Sequence, residues 1–231
     1  VTKAVMSVNY PDRCALMVHR SFGLLRSGKP GPVVLEIPDD LMTAETGLDV
    51  ENYTPVKISG SLANPGDVDD AVQAILGASC PVIVAGRGVL NGGAWSELVS
   101  LAELLNVPVA TTLAGKSAFP EDHPLSLGAG GYSRSTVVDH FFEKADLVIG
   151  MGTSFTASHY TTAVPPGKKM IQVTNDPVDV SKSYFLSNVL VGDIKAVLKQ
   201  MYEAAEDLNV SKGKLQESEV AAEIRSRKEA F

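Results

Sequence analysis

Cysteine is nearly absent from this chain. Cys14 and Cys80 are the only two in 231 residues. Two thiols in a chain of this length are not a disulfide framework, and no C-x-x-C or other metal-ligand spacing exists. A reducing, cytoplasmic setting is expected, with both thiols as small core or near-surface residues. Positive charge is also scarce. Lys and Arg number 20 against 27 Asp and Glu, a formal net charge of -7. Scattered cations on an acidic chain leave no footprint for nucleic acid and suit an anionic membrane surface no better. Long apolar runs are missing: "PVIVAG" and "ADLVIGMG" are far too short to cross a bilayer. No basic segment followed by an apolar one opens the chain, so no signal peptide is expected. Nucleophile-elbow, G-x-x-x-x-G-K-[ST] and H-E-x-x-H patterns are absent as well.

Apolar residues make up 45% of the chain. That suffices for one substantial core with attachments, or for two small domains. Residues 11–27 read as a helix, with Cys14, Met17, Val18, Phe22 and Leu25 as its apolar stripe. Gly28 is its stop. "SGKPGPVVLEIPDDLM" (27–42) then holds a buried strand, 33–37, ended by Pro38. Asp39 and Asp40 are adjacent and cannot oppose each other as a catalytic dyad, so they cap the following turn. This helix and strand look like the last unit of a domain whose earlier units lie upstream. Val rather than Met at position 1 is expected of a fragment or a processed chain.

Residues 41–61 lack a sustained period and read as a linker. "ANPGDVDDAVQAILGAS" starts a new element. Asn64 is the N-cap, Pro65 the first helical residue, and Asp67 sits in the first turn, where the helix dipole favours it. Val68, Ala71, Val72, Ile75 and Leu76 form its stripe. Strands are expected at 81–86, 107–112, 146–152, 169–176 and 188–193. Helices are expected at 94–105, 135–145 and 194–205. Apolar strands without alternation are buried on both faces, as in a parallel sheet covered by helices. The fold class is α/β, a doubly wound, mostly parallel, Rossmann-like sheet over about 62–205. The charged tail, 206–231, reads as a solvated helix or a linker.

Two strand ends carry candidate chemistry. "GRGVLNGG" (86–93) lies between a strand and a helix, where glycine lets a phosphate approach the backbone. Its pattern is G-x-G-x-x-N, and the next strand ends Thr111-Thr112 without the acidic residue that NAD recognition wants. A tight turn that needs glycine for geometry alone reads the same way. "GMGTSF" (150–155) repeats the arrangement: Thr153 and Ser154 either donate to a phosphate or cap the next turn. "AGKSAFPEDHPLSLGAGG" (114–131) reads as a long loop in which His123 fixes the chain. His19, His140 and His159 read as isolated surface or interface residues.

Together, "SGKPGPVVLEIPDDLM", "CPVIVAGRGV", "LAELLNVPVATTLAGKSAFPEDHPLSLGAGG", "ADLVIGMGTSF", "IQVTNDPVDV" and "VGDIKAVL" resemble thiamine-diphosphate-dependent enzymes of the acetolactate synthase and benzoylformate decarboxylase group. The likeness spans nearly the whole chain in order. It implies that residues 1–40 end a pyrimidine-binding domain, 62–205 form the central domain, and 206–231 lead toward a diphosphate-binding domain. It implies thiamine diphosphate and Mg2+ as cofactors of the full-length enzyme, held by residues outside this chain. That enzyme would decarboxylate a 2-keto acid as a cytoplasmic homo-oligomer, and this chain alone would be inactive. Where the family's central domain holds FAD or ADP, the corresponding positions here are Gly86, Arg87, Gly88, Thr112, Leu113, Gly128, Gly152, Thr153, Asp176 and Val178. The sequence departs from the FAD pattern. A triple glycine becomes Gly86-Arg87-Gly88, and Gly-x-Arg-Phe-Asp becomes Gly152-Thr153-Ser154-Phe155-Thr156. Lys29 replaces an Arg and loses its bidentate fork. These changes count against a tightly held FAD. A self-contained nucleotide-binding module and a structural domain with an empty crevice are the alternatives.

Overall fold

A computed structural model describes residues 2–47, 54–55, 57–131, 135–158, 160–161, 163–210 and 218–230. The chain divides into two compact units, Val1–Ser59 and Gly60–Phe231.

In the smaller unit, β1 (Ala4–Ser7) leads through α1 (Cys14–Arg26) to β2 (Val33–Glu36). The strands pair in parallel, Ala4 opposite Val33 and Ser7 opposite Glu36. Four residues, AVMS, are too short a run to have marked β1 in the sequence. Lys3 closes the unit: its ammonium donates to the carbonyls of Leu24 (2.7 Å) and Ser27, at the negative end of α1. The expected buried strand is not buried here. Val33 and Leu35 are half-buried and Val34 is exposed; among the described residues of this unit α1 packs on a sheet of only two strands. The stripe on α1 is shallow for the same reason. Only Ser21 is buried, and Phe22 lies exposed beneath the Arg26 guanidinium. Asp39 and Asp40 do not cap a turn but open a short helix, α2 (Asp39–Met42).

The larger unit begins at α3 (Pro65–Leu76), with Asn64 accepting from the Gly66 N–H as foreseen. Then follow β3 (Pro81–Ala85), α4 (Arg87–Asn91), α5 (Trp95–Leu105), β4 (Val109–Thr111), β5 (Ser126–Ala129), α6 (Thr136–Lys144), β6 (Leu147–Met151), β7 (Lys169–Thr174), β8 (Asn188–Val191), α7 (Ile194–Asp207) and α8 (Glu219–Glu229). The six strands lie in the order β5-β4-β3-β6-β7-β8, all parallel. Strands β3, β4 and β6 are apolar and almost wholly buried, as a sheet covered on both faces requires.

Alternate strand residues feed two cores. Ile83, Ile149, Ile171 and Leu190 meet Val72 and Ile75 of α3, Leu98 and Leu101 of α5, and Leu198 and Met201 of α7. Val82, Val84, Val148 and Met170 meet Phe141 and Phe142 of α6 and Ile224 of α8. Each such large side chain contributes about 1.5–3 kcal/mol when fully buried.

Three further expectations fail in this unit. The 114–131 segment is not all loop: β5 forms the edge of the sheet, hidden in the sequence by the glycines and proline around it. Leu76 is exposed rather than part of the α3 stripe. The tail is not simply solvated, since α8 packs on α6 and buries Ala221 and Ile224. Among the described residues no helix is long and apolar enough to cross a membrane.

Asp146 ties the start of β6 to the start of β3. Its carboxylate accepts from the N–H groups of Ser79 (2.7 Å) and Cys80 (2.9 Å). Burial opposes the charge, but these donors outweigh it and hold the carboxyl below its ordinary range. A depressed folded-state pKa means stability that is present above the ordinary carboxylate value and lost as pH falls through the folded one. Asp146→Ala should therefore lower the urea midpoint at neutral pH. The gap to the parent chain should shrink as pH drops below about 4. A gap independent of pH would assign Asp146 no such role.

Candidate functional site

Strand order identifies the candidate site. After β3 the chain builds outward through β4 and β5. From β6 it builds the other way through β7 and β8. The switch point lies between the adjacent strands β3 and β6, and in open α/β sheets ligands sit at the carboxyl ends there. Gly86 follows β3 and Gly152 follows β6, so the sequence-selected turns do meet.

They meet by touching. The Gly86 N–H donates to the Met151 carbonyl and the Gly88 N–H to the Gly152 carbonyl, both at 2.8 Å. A Cβ on Gly86 would lie 2.4 Å from the Gly152 carbonyl oxygen, and one on Gly88 would lie 2.7 Å from the Gly152 Cα. Gly152 itself has φ +62°, and a Cβ there would come within 2.7 Å of the Val89 nitrogen. Gly115 joins from the β4 side, where a Cβ would sit 2.5 Å from the Ala85 carbonyl. Turns from three strands are thus locked backbone to backbone. The tight-packing alternative accounts for these glycines without a ligand.

The polar candidates are occupied in a similar way. Thr112 donates its N–H to the Ala85 carbonyl (2.9 Å), and its Oγ1 accepts from the Gly115 N–H (3.0 Å). Thr153 Oγ1 accepts from the Phe155 N–H (3.3 Å). Asp176 Oδ1 accepts from the Val178 N–H (3.0 Å). Gly128, on β5 with φ +91°, has open space where a Cβ would be. Leu113 and Val178 are exposed. Arg87 is exposed on the first turn of α4. Gly128, Asp176 and Val178 lie at the ends of β5 and β7, outside the glycine knot.

Sequence reasoning passed over Gln172. It is wholly buried on β7, and its Nε2 donates to the carbonyls of Thr153 (3.0 Å) and Asp179 (3.2 Å). It stitches the turn after β6 to the turn after β7. The signal was present as a lone amide inside the apolar strand "KMIQVT". Two buried oxygens near the strand ends, Thr111 Oγ1 and Gln172 Oε1, have no hydrogen-bond partner among the described residues. His123 has the loop-fixing geometry expected of it. Its Nδ1 accepts from the Leu125 N–H (3.1 Å), so Nε2 carries the proton toward Glu103 Oε1 at 3.3 Å. His140 is not isolated: it lies 2.8 Å from Glu223. His159 lies outside the described residues. Concavities of about 490 Å³ and 230 Å³ flank α5; the larger is lined in part by Ser117, Phe119, Pro120 and Glu121 of the 114–131 segment, and none of the candidate cofactor-binding positions lines either one.

Comparison with known proteins fits this topology to a family. The family model described as the thiamine pyrophosphate enzyme central domain matches residues 68–201. The chain belongs to that family. It is similar to a probable acetolactate synthase large subunit of Methanocaldococcus jannaschii, at 32% identity over 88% of this chain and 36% of the relative. It is equally similar, at 32%, to a glyoxylate carboligase of Escherichia coli, over 90% of this chain and 36% of the relative. The fold matches benzoylformate decarboxylase of Polynucleobacter necessarius with a TM-score of 0.75 and 24% identity, over 93% of this chain and 39% of that one. The chain therefore spans little more than a third of the relatives it matches. The family implies thiamine diphosphate with Mg2+, a cation that takes oxygen ligands. Among the described residues no group of three or more His, Cys, Asp or Glu side chains could hold a metal. For a nucleotide at the switch point the fit is partial, because the glycines and caps already serve one another.

Gly88→Val separates the two roles of the knot. If packing is the role, the variant is destabilised by about 1–3 kcal/mol, and its Tm falls by several degrees with no ligand present. An unchanged Tm in a thermal melt would return Gly88 to ligand approach.

Proposed function

We propose that this chain is the central portion of a thiamine-diphosphate-dependent enzyme that decarboxylates a 2-keto acid and couples the product to a second carbonyl compound. The observation that carries this reading is the family match over residues 68–201 on a six-stranded parallel sheet. In this reading residues 1–40 complete a pyrimidine-binding domain, and residues 41–61 form a linker. Residues 62–205 are the central domain, and 206–231 lead to a diphosphate-binding domain. The working enzyme is a cytoplasmic, magnesium-dependent homo-oligomer, and this chain alone does not turn over.

Within that enzyme the central domain serves as a packing body. The glycine knot favours this role over a resident dinucleotide, since it fills the approach that a pyrophosphate would use. A nucleotide-binding reading rests on Arg87, which projects from the first turn after β3 with no ion-pair partner among the described residues. Replacing a knot glycine is a poor test, because it damages the packing. Arg87→Ala leaves the knot intact.

The chain should release no CO2 from pyruvate or glyoxylate with thiamine diphosphate and Mg2+ supplied. Titration calorimetry should show no saturable binding of thiamine diphosphate, FAD or ADP. Turnover, or tight thiamine diphosphate binding, would sink the reading of this chain as a central portion. Binding of FAD or ADP that Arg87→Ala weakens would instead make the switch point a nucleotide site.

A further inference from the structure

Helix α8 is attached unlike the other helices of the larger unit. Its sequence, EVAAEIRSRKE, is dominated by charged and small residues, and only Ala221 and Ile224 are buried. By contrast α7 buries Ile194, Val197, Leu198, Met201 and Ala205. The apolar anchorage of α8 is limited to Ala221, Ile224, which is part of the second core cluster with Phe141 and Phe142, and the partly buried Val220, which packs against both clusters.

Polar contacts supply the rest, and they converge on one side chain. Glu223 accepts from Lys144 Nζ at 3.0 Å and lies 2.8 Å from His140 Nε2, both on α6. Within α8 it meets Arg227 Nε at 3.5 Å. Charge-assisted hydrogen bonds of this kind are the stronger ones. The Lys144 bond is the chief cause holding the Glu223 carboxyl below its ordinary range. Among the described residues two further side-chain hydrogen bonds tie the helix and its cap: Ser218 Oγ donates to Asn106 Oδ1 at 2.7 Å, and Lys228 Nζ donates to the Glu121 carbonyl at 3.4 Å. The Glu223 side chain is 29% exposed, so salt reaches this cluster and weakens it.

We propose that α8 is a strap, docking and undocking as a unit while the sheet stays folded, with Glu223 as its catch. Local openings of this type are drawn from segments with few buried apolar contacts. Undocking bares the α6 side of the second core, an apolar face around Phe141 and Phe142. The inference uses only contacts within this unit and does not depend on the reading of function.

Hydrogen exchange on the intact chain tests it. Amides of 221–229 should exchange by a local route, faster than those of β3, β6 and β7. Raising salt to about 1 M should speed that route further. Glu223→Gln should speed it by about fivefold or more at low salt and leave the strand amides unchanged. Lys144→Ala, which removes the strongest of the partners of Glu223, should speed the same amides and leave the strand amides unchanged. Exchange of α8 only together with the strands would overturn the strap. So would α8 protection indifferent to salt and to Glu223→Gln. If Ile224→Ala loosens α8 while Glu223→Gln does not, the hold is apolar and Glu223 is not the catch.

Discussion

The contact between the turns after β3 and β6 organises the larger unit. Gly86 and Gly88 lie against Gly152, with two backbone hydrogen bonds of 2.8 Å between the turns. No side chain fits between them. This closeness keeps β3 and β6 in register at their carboxyl ends, where the winding of the sheet reverses. Gly115 brings the β4 turn into the same contact. Gln172 extends it to β7 through the Thr153 carbonyl. Three of the six strands thus end in one backbone-to-backbone assembly, and the Gln172 amide ties in a fourth. The chemistry available at the switch point follows from that. The N–H groups of Gly86, Gly88 and Gly152 are spent on neighbouring backbone, and Arg87 and Leu113 beside them are exposed.

The two faces of the sheet are covered unequally. Helices α3, α5 and α7 pack on one face and against each other. The other face relies on α6, on α8 and on side chains from connecting segments such as Phe155 and Val164. Phe155 holds an unusual place: its ring occupies the space where a side chain on Gly150 would be. A sheet buried on both sides needs this second layer, and the chain assembles it from smaller, more polar parts. That asymmetry is why the attachment of α8 depends on charge.

Family membership and local geometry bear on function at different levels. Membership rests on the match over 68–201, and it describes a domain within a longer enzyme. Geometry describes what these residues do for one another. Here the glycines of the two turns pack against each other.

Much of this protein was legible in its sequence. Buried parallel strands show as unbroken apolar runs, so β3, β6 and the core of β7 were visible. Asn64-Pro65 marks a helix start because cap and proline act locally. The glycines at 86, 88 and 152 stand out in the sequence, since a backbone that must approach something closely needs glycine. What they approach was not legible, because a phosphate and a neighbouring turn impose the same demand on the local chain. Tertiary structure set the neighbouring turn against them. It also decided that β5 is a strand, that Val34 remains exposed, and that α8 is docked. Each of these depends on which partner lies across space: β4 for β5, β1 and α1 for β2, and Lys144 and His140 for Glu223. Local propensity carries no record of such partners, and only the folded chain brings them together.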